Sequence, residues 1–329
     1  GQRRKGNRTI RVKTLYVKDI KAGEKIKSSF LVMEKNLAYS QKGAPYLSVK
    51  LRDRTGDVEG RVWDNVAALD PLFRKGDIVS VQGRAVSYRD ATQLAVLDIR
   101  RMDETGIDPW DYFPSTKGDV EEMFAALAAY AGSVENPWLK KLLAAFLDDP
   151  QLAARLKRAP AAKGFHHAYL GGLLEHTLSM VKILDALAGH YPAASRDMLI
   201  AGGILHDIGK TEEFTYDRAI DYSTPGRLVG HILLGVEMLD RKIASIEGFP
   251  EDLALELKHV ILAHHGELDF GSPKRPKTVE ALIVHFVDDL DAKVAAFQEF
   301  IGNSGAGESE WTPFHRFFER FLYKGGQKA

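Results

Sequence analysis

The spacing of apolar positions changes once along the chain, and the change is abrupt. From about Lys25 to Met102 the apolar residues alternate in short runs: "SSFLVMEKNLAYS", "PYLSVKLRD", "VEGRVWD", "DIVSVQGRAVSY" and "TQLAVLDIRRM". These runs are β-branched or aromatic-rich, and they predict five strands. Turn chemistry such as "QKGAP" and "DRTGD" separates them, and "NVAALDPLF", between the third and fourth, is compatible with a short helix. Past a Pro-, Gly- and acid-containing stretch, "DETGIDPWDYFPSTKG", recurrences at three and four residues take over. They mark helices in "DVEEMFAALAAYAG", "NPWLKKLLAAFL", "LGGLLEHTLSMVKILDALAG", "RDMLIAGGILHDIG", "LVGHILLGVEMLDRKIASI", "EDLALELKHVILAHHG" and "TVEALIVHFVDDLDAKVAAFQEFI". Asn136 followed by Pro137 is an N-cap and first-turn pair. No strand signal interrupts this half. In the ending "WTPFHRFFERFLYK", Phe314, Phe317, Phe318 and Phe321 fall on one helical stripe, read as core or subunit contact in a C-terminal helix.

The expected architecture is therefore two-domain: an all-β barrel, then an all-α domain. Five strands with one helix in the third gap is the layout of an OB-fold, which commonly binds oligonucleotides on one face. The boundaries read as 1–105 for the barrel with its basic arm, 106–118 for a linker, and 119–329 for the helical domain. At 329 residues the chain is long enough for two cores.

Charge sharpens this picture. The net charge is zero, yet residues 1–105 carry 22 Lys and Arg against 13 Asp and Glu. A basic front half suits a polyanion, although part of the excess lies in the arm "GQRRKGNR". Tyr39, Tyr46, Trp63 and Tyr88 offer stacking surfaces beside Lys42, Lys50, Arg52, Arg61 and Arg84, so single-stranded nucleic acid is the expected partner. The competing reading is that these aromatics fill the barrel and the charges solvate it. No run of 18 apolar residues and no signal-peptide pattern occurs, which argues against a membrane partner and for a cytoplasmic protein. With no cysteine, any metal must be held by imidazole and carboxylate.

The helical half contains the candidate chemistry. His206-Asp207 ends an apolar helix just before Gly209, but a chain of this length holds such a dipeptide by chance about as often as not. Its company carries more weight. His176 follows Leu173 and Leu174, His231 interrupts "LVGHILL", His264-His265 closes a helix against Gly266, and Asp288, Asp289 and Asp291 break "ALIVHFVDDLDAKV". Buried imidazoles and carboxylates are costly unless paired, and a divalent cation at their centre offsets that cost. An all-N/O ligand set with no sulfur suits Mn²⁺, Co²⁺, Mg²⁺, Fe²⁺ or Zn²⁺ and leaves the choice open, with Mn²⁺ the first expectation. His190, His259, His285 and His315 read as structural.

The ordered set His176, His206-Asp207, Asp288 resembles the HD superfamily of metal-dependent phosphohydrolases. Together with the barrel, "FHHAYLGGLLEHTLSM", "LHDIGK", "GHILLG", "HHGELDFGSPKRPKTVEA" and "DDLDAK" resemble the YhaM-type 3′→5′ exoribonucleases over roughly residues 13–325. "HHGELDFGSPKRP" stands where the cyclic-di-GMP phosphodiesterase branch has a GYP signature, which argues against that substrate. The resemblance implies that His176, His206, Asp207 and Asp288 hold one metal. Asp207 would bridge to a second, completed by His231, His264 and, as an open question, His265. Asp291 either binds or orients a ligand from one helical turn on.

The resemblance further implies two-metal hydrolysis of a phosphodiester, with Asp207 and Lys210 as the catalytic pair and Lys210 placing a cation on the scissile phosphate. Ser272 and Lys274, in a loop that also holds Arg275 and Lys277, are with Arg227 candidate phosphate contacts taken as a group; His167, next to His166, either meets the substrate or has a core or surface role. The implied activity is 3′→5′ exoribonuclease action on single-stranded RNA, with single-stranded DNA also possible, releasing 5′-mononucleotides. Two other readings stay open: an HD phosphohydrolase of free nucleotides with a regulatory barrel, and a silent nucleic-acid-binding protein. A homo-oligomer is compatible with either half.

Overall fold

In the computed structural model the described residues are 13–88, 91–103, 107–163, 169–216, 220–305 and 309–325. The chain divides into two compact units, with the sequence boundary between Ser115 and Thr116. The basic arm and His167 lie outside the described residues.

The first unit is a closed barrel of β1 (Lys25–Tyr39), β2 (Pro45–Asp53), β3 (Gly56–Val62), β4 (Ile78–Tyr88) and β5 (Ala91–Arg101), in the order β1-β2-β3-β5-β4. One long strand makes closure possible. The first half of β1 pairs with β4 and its second half with β2, and a register shift between Val32 and Glu34 marks the bend. A parallel ladder between β3 and β5, Glu59↔Gln93 to Val62↔Val96, completes the circuit. Inward positions alternate as the pattern predicts: Leu47, Val49 and Leu51 on β2 are fully buried, facing Phe30, Val79, Val81, Leu94 and Ile99. The expected helix between β3 and β4 is α1 (Val66–Leu69), which runs into a 3-10 turn at Asp70–Leu72. This is an OB-fold.

The expected linker, 106–118, departs from prediction. Asp111, Tyr112 and Phe113 are buried. The Tyr112 hydroxyl lies 2.7 Å from the Ser29 hydroxyl of β1, and Tyr16 donates to Asp111 Oδ1 at 2.5 Å. Aromatic residues in this stretch have apolar surface to hide, so it packs on the barrel although its Pro and Gly content reads as a connector.

The second unit is helical: α2 (Val120–Gly132), α3 (Pro137–Leu147), α4 (Pro150–Leu156), α5 (Gly172–His190), α6 (Arg196–Leu205), α7 (Lys210–Glu213), α8 (Thr224–Leu228), α9 (His231–Ala244), α10 (Glu251–Ala263) and α11 (Val279–Asn303). Asn136 caps α3 by accepting from the Trp138 and Leu139 amides at 3.0 and 3.1 Å. Every residue of α6 from Met198 to Leu205 is buried, and α5, α10 and α11 pack around it. α6 is thus the axis of the unit, and whatever follows Leu205 emerges at its centre. None of the described helices is long and apolar enough to cross a membrane.

Two expectations for this half are corrected. A small ladder, β6 (Phe214–Thr215) with β7 (Asp221–Tyr222), interrupts the helices. The C-terminal stripe is no helix: Trp311 bridges Tyr323 and His315 bridges Arg320, so residues 311–323 fold back as an antiparallel loop. Glu319 turns it at φ 51, and Thr312 ties to Leu322 through both its amide and its hydroxyl. Pro313 removes a helical donor at the start, and cross-loop pairing wins over the stripe. Phe318 is buried there, whereas Phe314, Phe317 and Phe321 are exposed.

Tyr112→Ala is expected to lower stability by about 3–5 kcal/mol, the usual cost of truncating a buried aromatic ring. A urea unfolding curve measures it, and a change below about 0.5 kcal/mol would return the segment to a connector.

Candidate functional site

At the end of α6 the chain turns through His206, Asp207, Ile208 and Gly209 before α7 begins. α9 crosses this turn at backbone contact. A Cβ on Gly209 would sit 2.0 Å from the His231 carbonyl oxygen, so only glycine admits the approach. His231 is not inside its helix, as the pattern suggested, but its first residue, and the crossing sets it beside Asp207. α10 delivers His264 and His265 at its last turn. Gly266 follows at φ +77, with the His285 ring where a side chain would go. α5 supplies His176, and α11 supplies Asp288 and Asp291.

These side chains converge as two trios. The ligand atoms of His176, His206 and Asp288 lie within 4.8 Å of one another, as do those of His231, His264 and His265. His265 therefore turns inward beside its neighbour. Asp207 stands between the trios with one oxygen toward each. Its Oδ2 is 3.3 Å from His206 Nε2 and 3.8 Å from His176 Nε2. Its Oδ1 is 3.4 Å from His231 Nε2 and 3.5 Å from His264 Nε2. Asp288 Oδ1 lies 3.2 Å from His176 Nε2, while Asp289 faces away and pairs with Lys293 at 2.7 Å.

The far nitrogen of each ring decides what the near one can do. His206 Nδ1 donates to the Gly203 carbonyl at 2.9 Å, His264 Nδ1 to that of Ile261 at 2.7 Å, and His265 Nδ1 to that of Phe270 at 2.9 Å. His231 Nδ1 donates to Glu213 at 3.1 Å and His176 Nδ1 to Asp291 at 2.7 Å. With the proton held at Nδ1 in the rings of His206, His231, His264 and His265, their Nε2 lone pairs point inward, while His176 turns its Nε2 toward Asp288 and His206. Nitrogen lone pairs and carboxylate oxygens facing each other repel, and they leave Asp207 Oδ1, His231 Nε2 and His264 Nε2 buried without a hydrogen-bond partner. That donor set fits two divalent cations sharing Asp207.

The electrostatics agree with the geometry. Burial works against the Asp207 charge, but the Lys210 ammonium at 2.6 Å and His206 outweigh it, holding the carboxyl well below the usual range. Asp288 is likewise held low against its burial, by His176 and His206. Burial also works against His176, yet its bonds to Asp288 and Asp291 carry it up to about 9. In the second trio burial wins: His264 is lowered, and burial together with His264 takes His265 down to about 4. Lys210 is raised despite burial because Asp207 and Asp288 face it.

Asp291, left open between ligand and orienting roles, sits on the Nδ1 side of His176 and takes Ser179's hydroxyl on its other oxygen, so it orients the ring. Glu213 went unnoticed in the sequence. It is buried and accepts from both the His231 amide, at 3.0 Å, and its Nδ1. α7 is a single turn, too short for any periodicity to mark it. Among the expected phosphate contacts, Ser272 is corrected: it is buried, and its hydroxyl lies 2.9 Å from the Leu262 carbonyl and 2.7 Å from that of Lys274. It closes the end of α10 instead of facing solvent. Lys274 is exposed, and Arg227 is exposed and paired with Asp221 at 3.0 Å.

On the barrel, Tyr46 and Trp63 stack with ring centres 4.5 Å apart, Trp63 being 52% exposed. Arg61 lies 5.8 Å from the Tyr46 ring. Tyr39 and Tyr88 are exposed as well, so the aromatics do not fill the core. The cations are less free than the sequence suggested: Lys50 and Arg52 both pair with Asp57, and Arg61 with Glu59.

Comparison with known proteins follows the same division. The HD domain family matches residues 173–293, and the OB-fold nucleic acid binding domain family matches residues 31–102. The 3′-5′ exoribonuclease YhaM of Bacillus velezensis is 32% identical over 287 residues, 87% of this chain and 90% of that protein. Its namesake from Bacillus subtilis is 31% identical over 287 residues, with the same coverage. The solved HD domain of the L. monocytogenes phosphodiesterase PgpH covers 49% of this chain and 77% of that one, at 19% identity and a TM-score of 0.30.

Replacing Glu213 by alanine is expected to weaken the cation held by the second trio about 10–100-fold, leaving the first intact, whereas Glu213→Gln keeps an acceptor and most of the affinity. Metal titration followed by elemental analysis reads both. A second expectation concerns pH. The ion-free His176 ring holds an extra proton up to about pH 9, so cation loading at neutral pH releases it, and the release fades above that value. Calorimetry in buffers of different ionisation enthalpy measures the released proton; a constant release from pH 7 to 10 would contradict the assignment.

Proposed function

Because the chain belongs to the family of the YhaM 3′-5′ exoribonucleases, we propose that it is a metal-dependent nuclease that shortens single-stranded RNA from its 3′ end and releases 5′-mononucleotides. The observation that carries this reading is the placement of Asp207, one oxygen toward each imidazole trio, with three buried polar atoms left for cations to satisfy. When bound, divalent ions at His176, His206 and Asp288 and at His231, His264 and His265, sharing Asp207, would supply acidity to a water and neutralise charge on the attacking and leaving oxygens. Mn²⁺ is the cation chosen for the test, and the sulfur-free mixture of imidazole and carboxylate also suits Fe²⁺, Co²⁺, Mg²⁺ or Zn²⁺.

The chain's own groups do the rest. The five Nδ1–H bonds fix the ring orientations before any substrate arrives, so no reorganisation accompanies the reaction. Lys210 holds a positive charge against Asp207, the charge that a dianionic transition state needs close at hand. Lys274 and Arg227 offer exposed cations for phosphates along the strand. The Tyr46–Trp63 pair gives bases a stacking surface that is indifferent to sequence, as an enzyme that shortens RNA of any sequence requires.

End-labelled single-stranded RNA and DNA, incubated with Mn²⁺ or with EDTA, test the proposal. Stepwise shortening of RNA from the 3′ end, abolished by EDTA, is the expected result. Intact strands beside hydrolysed free nucleotides would sink it in favour of a nucleotide phosphohydrolase. Trp63→Ala is expected to weaken RNA binding by about 1–3 kcal/mol, roughly 5–150-fold, while hydrolysis of a dinucleotide stays near normal. Equal losses in filter binding and dinucleotide turnover would contradict a separate stacking face.

A further inference from the structure

α11 is apolar on two opposite faces. Ala281, Val284 and Val287 face the interior. On the other side Val279, Leu282, Phe286, Leu290 and Val294 are each 46–60% exposed. Their steps of three and four residues make a single stripe, and a helix apolar all round is normally covered on both sides. Phe297 and Ile301 carry the stripe on into a groove of about 530 Å³ walled by Phe318 of the C-terminal loop.

The stripe is close to symmetric about its middle, with Leu282 and Phe297 eight and seven residues from Leu290. Phe286 and Val294 stand four residues either side of Leu290, and Val279 and Ile301 eleven either side. We propose that this face is a dimer interface, on which α11 packs antiparallel against α11 of a second copy of this chain across a two-fold axis at Leu290. A two-fold axis sets each residue opposite the one equidistant from the centre, so Phe286 meets the partner's Val294 and Val279 meets the partner's Ile301. The five exposed side chains expose on the order of 400 Å² of apolar surface, close to the apolar share of one side of a standard interface. The largest apolar patch on a monomer, on the order of 300–600 Å², is often functional, and this one falls in that range along a single helix. The charges beside it, Asp289 and Lys293, pair with each other and cancel, which suits neither RNA nor an anionic lipid surface.

Sedimentation of the full chain, with its metals, tests the inference. The native protein is expected to run at twice the 36.6 kDa of one chain at micromolar concentration. Phe286→Glu with Val294→Glu sets like charges opposite each other and is expected to raise the dimer dissociation constant about a hundredfold or more. Phe286→Glu with Val294→Lys sets opposite charges across the axis and restores the dimer. Within one helix the two positions are eight residues apart, too far to pair with each other. Metal content serves as the folding control, because Asp288 and Asp291 lie inward on the same helix. A native monomer, with or without affinity for some other partner, overturns the proposal. A dimer untouched by the two glutamates overturns it as well, and dissociation of both variants alike overturns the antiparallel register.

Discussion

A buried carboxylate with no protein hydrogen-bond donor on one of its oxygens is among the least comfortable groups a protein can contain. Asp207 is such a group, sunk at the end of the most buried helix of the chain and ringed by imidazoles whose free electron pairs face it. Lys210 relieves one oxygen, and the other has only nitrogen lone pairs near it. Desolvation on this scale costs several kcal/mol unless positive charge arrives. The remaining architecture can be read as a means of keeping the arrangement intact until it does.

The means are mostly apolar. α6 is held on its sides by α5, α10 and α11, so the turn after it can neither slide nor splay. The close crossing at Gly209 fixes α9 by its backbone, where side-chain packing would leave play. Each ring is then locked by its far nitrogen to a carbonyl or to a buried carboxylate. Rigid secondary elements thus deliver the ligands, and loops contribute little beyond the ends of α10 and α6. The barrel works on another principle. It presents a pair of stacked rings, Tyr46 and Trp63, on the β2–β3 side, and its Lys50, Arg52 and Arg61 are committed to neighbouring carboxylates.

Much of this was legible in the residues. The five strands followed from alternation because one face of each is buried. The cluster followed from polar residues placed where apolar helices have no other use for them: His176, His206, Asp207, His231, His264, His265 and Asp288 converge. What stayed hidden was hidden for physical reasons. Glu213 sits on a single helical turn, where no period exists to reveal a buried side. Ser272 looks like a phosphate-loop serine, but its hydroxyl meets a carbonyl that the end of α10 leaves open, a contact set by tertiary structure alone. The C-terminal phenylalanines have helical spacing, yet they lie in an antiparallel loop because Thr312 and Leu322 pair across it. Asp111, Tyr112 and Phe113 are buried within a stretch that has the composition of a connector, since composition counts prolines and glycines but not where a tyrosine finds a surface.

The bonds from His206 to Gly203 and from His264 to Ile261 share one form: each ring closes the carbonyl three residues behind it, on the last turn of its own helix. A side chain in that place must give a hydrogen backward and offer an electron pair forward at once. Imidazole does both, whereas aspartate or glutamate has nothing to give and lysine nothing to offer. Substitution by another ligating type would therefore unravel a helix end even where it could still bind an ion, and descent with change at these two positions is narrowed to histidine by the backbone as much as by the chemistry.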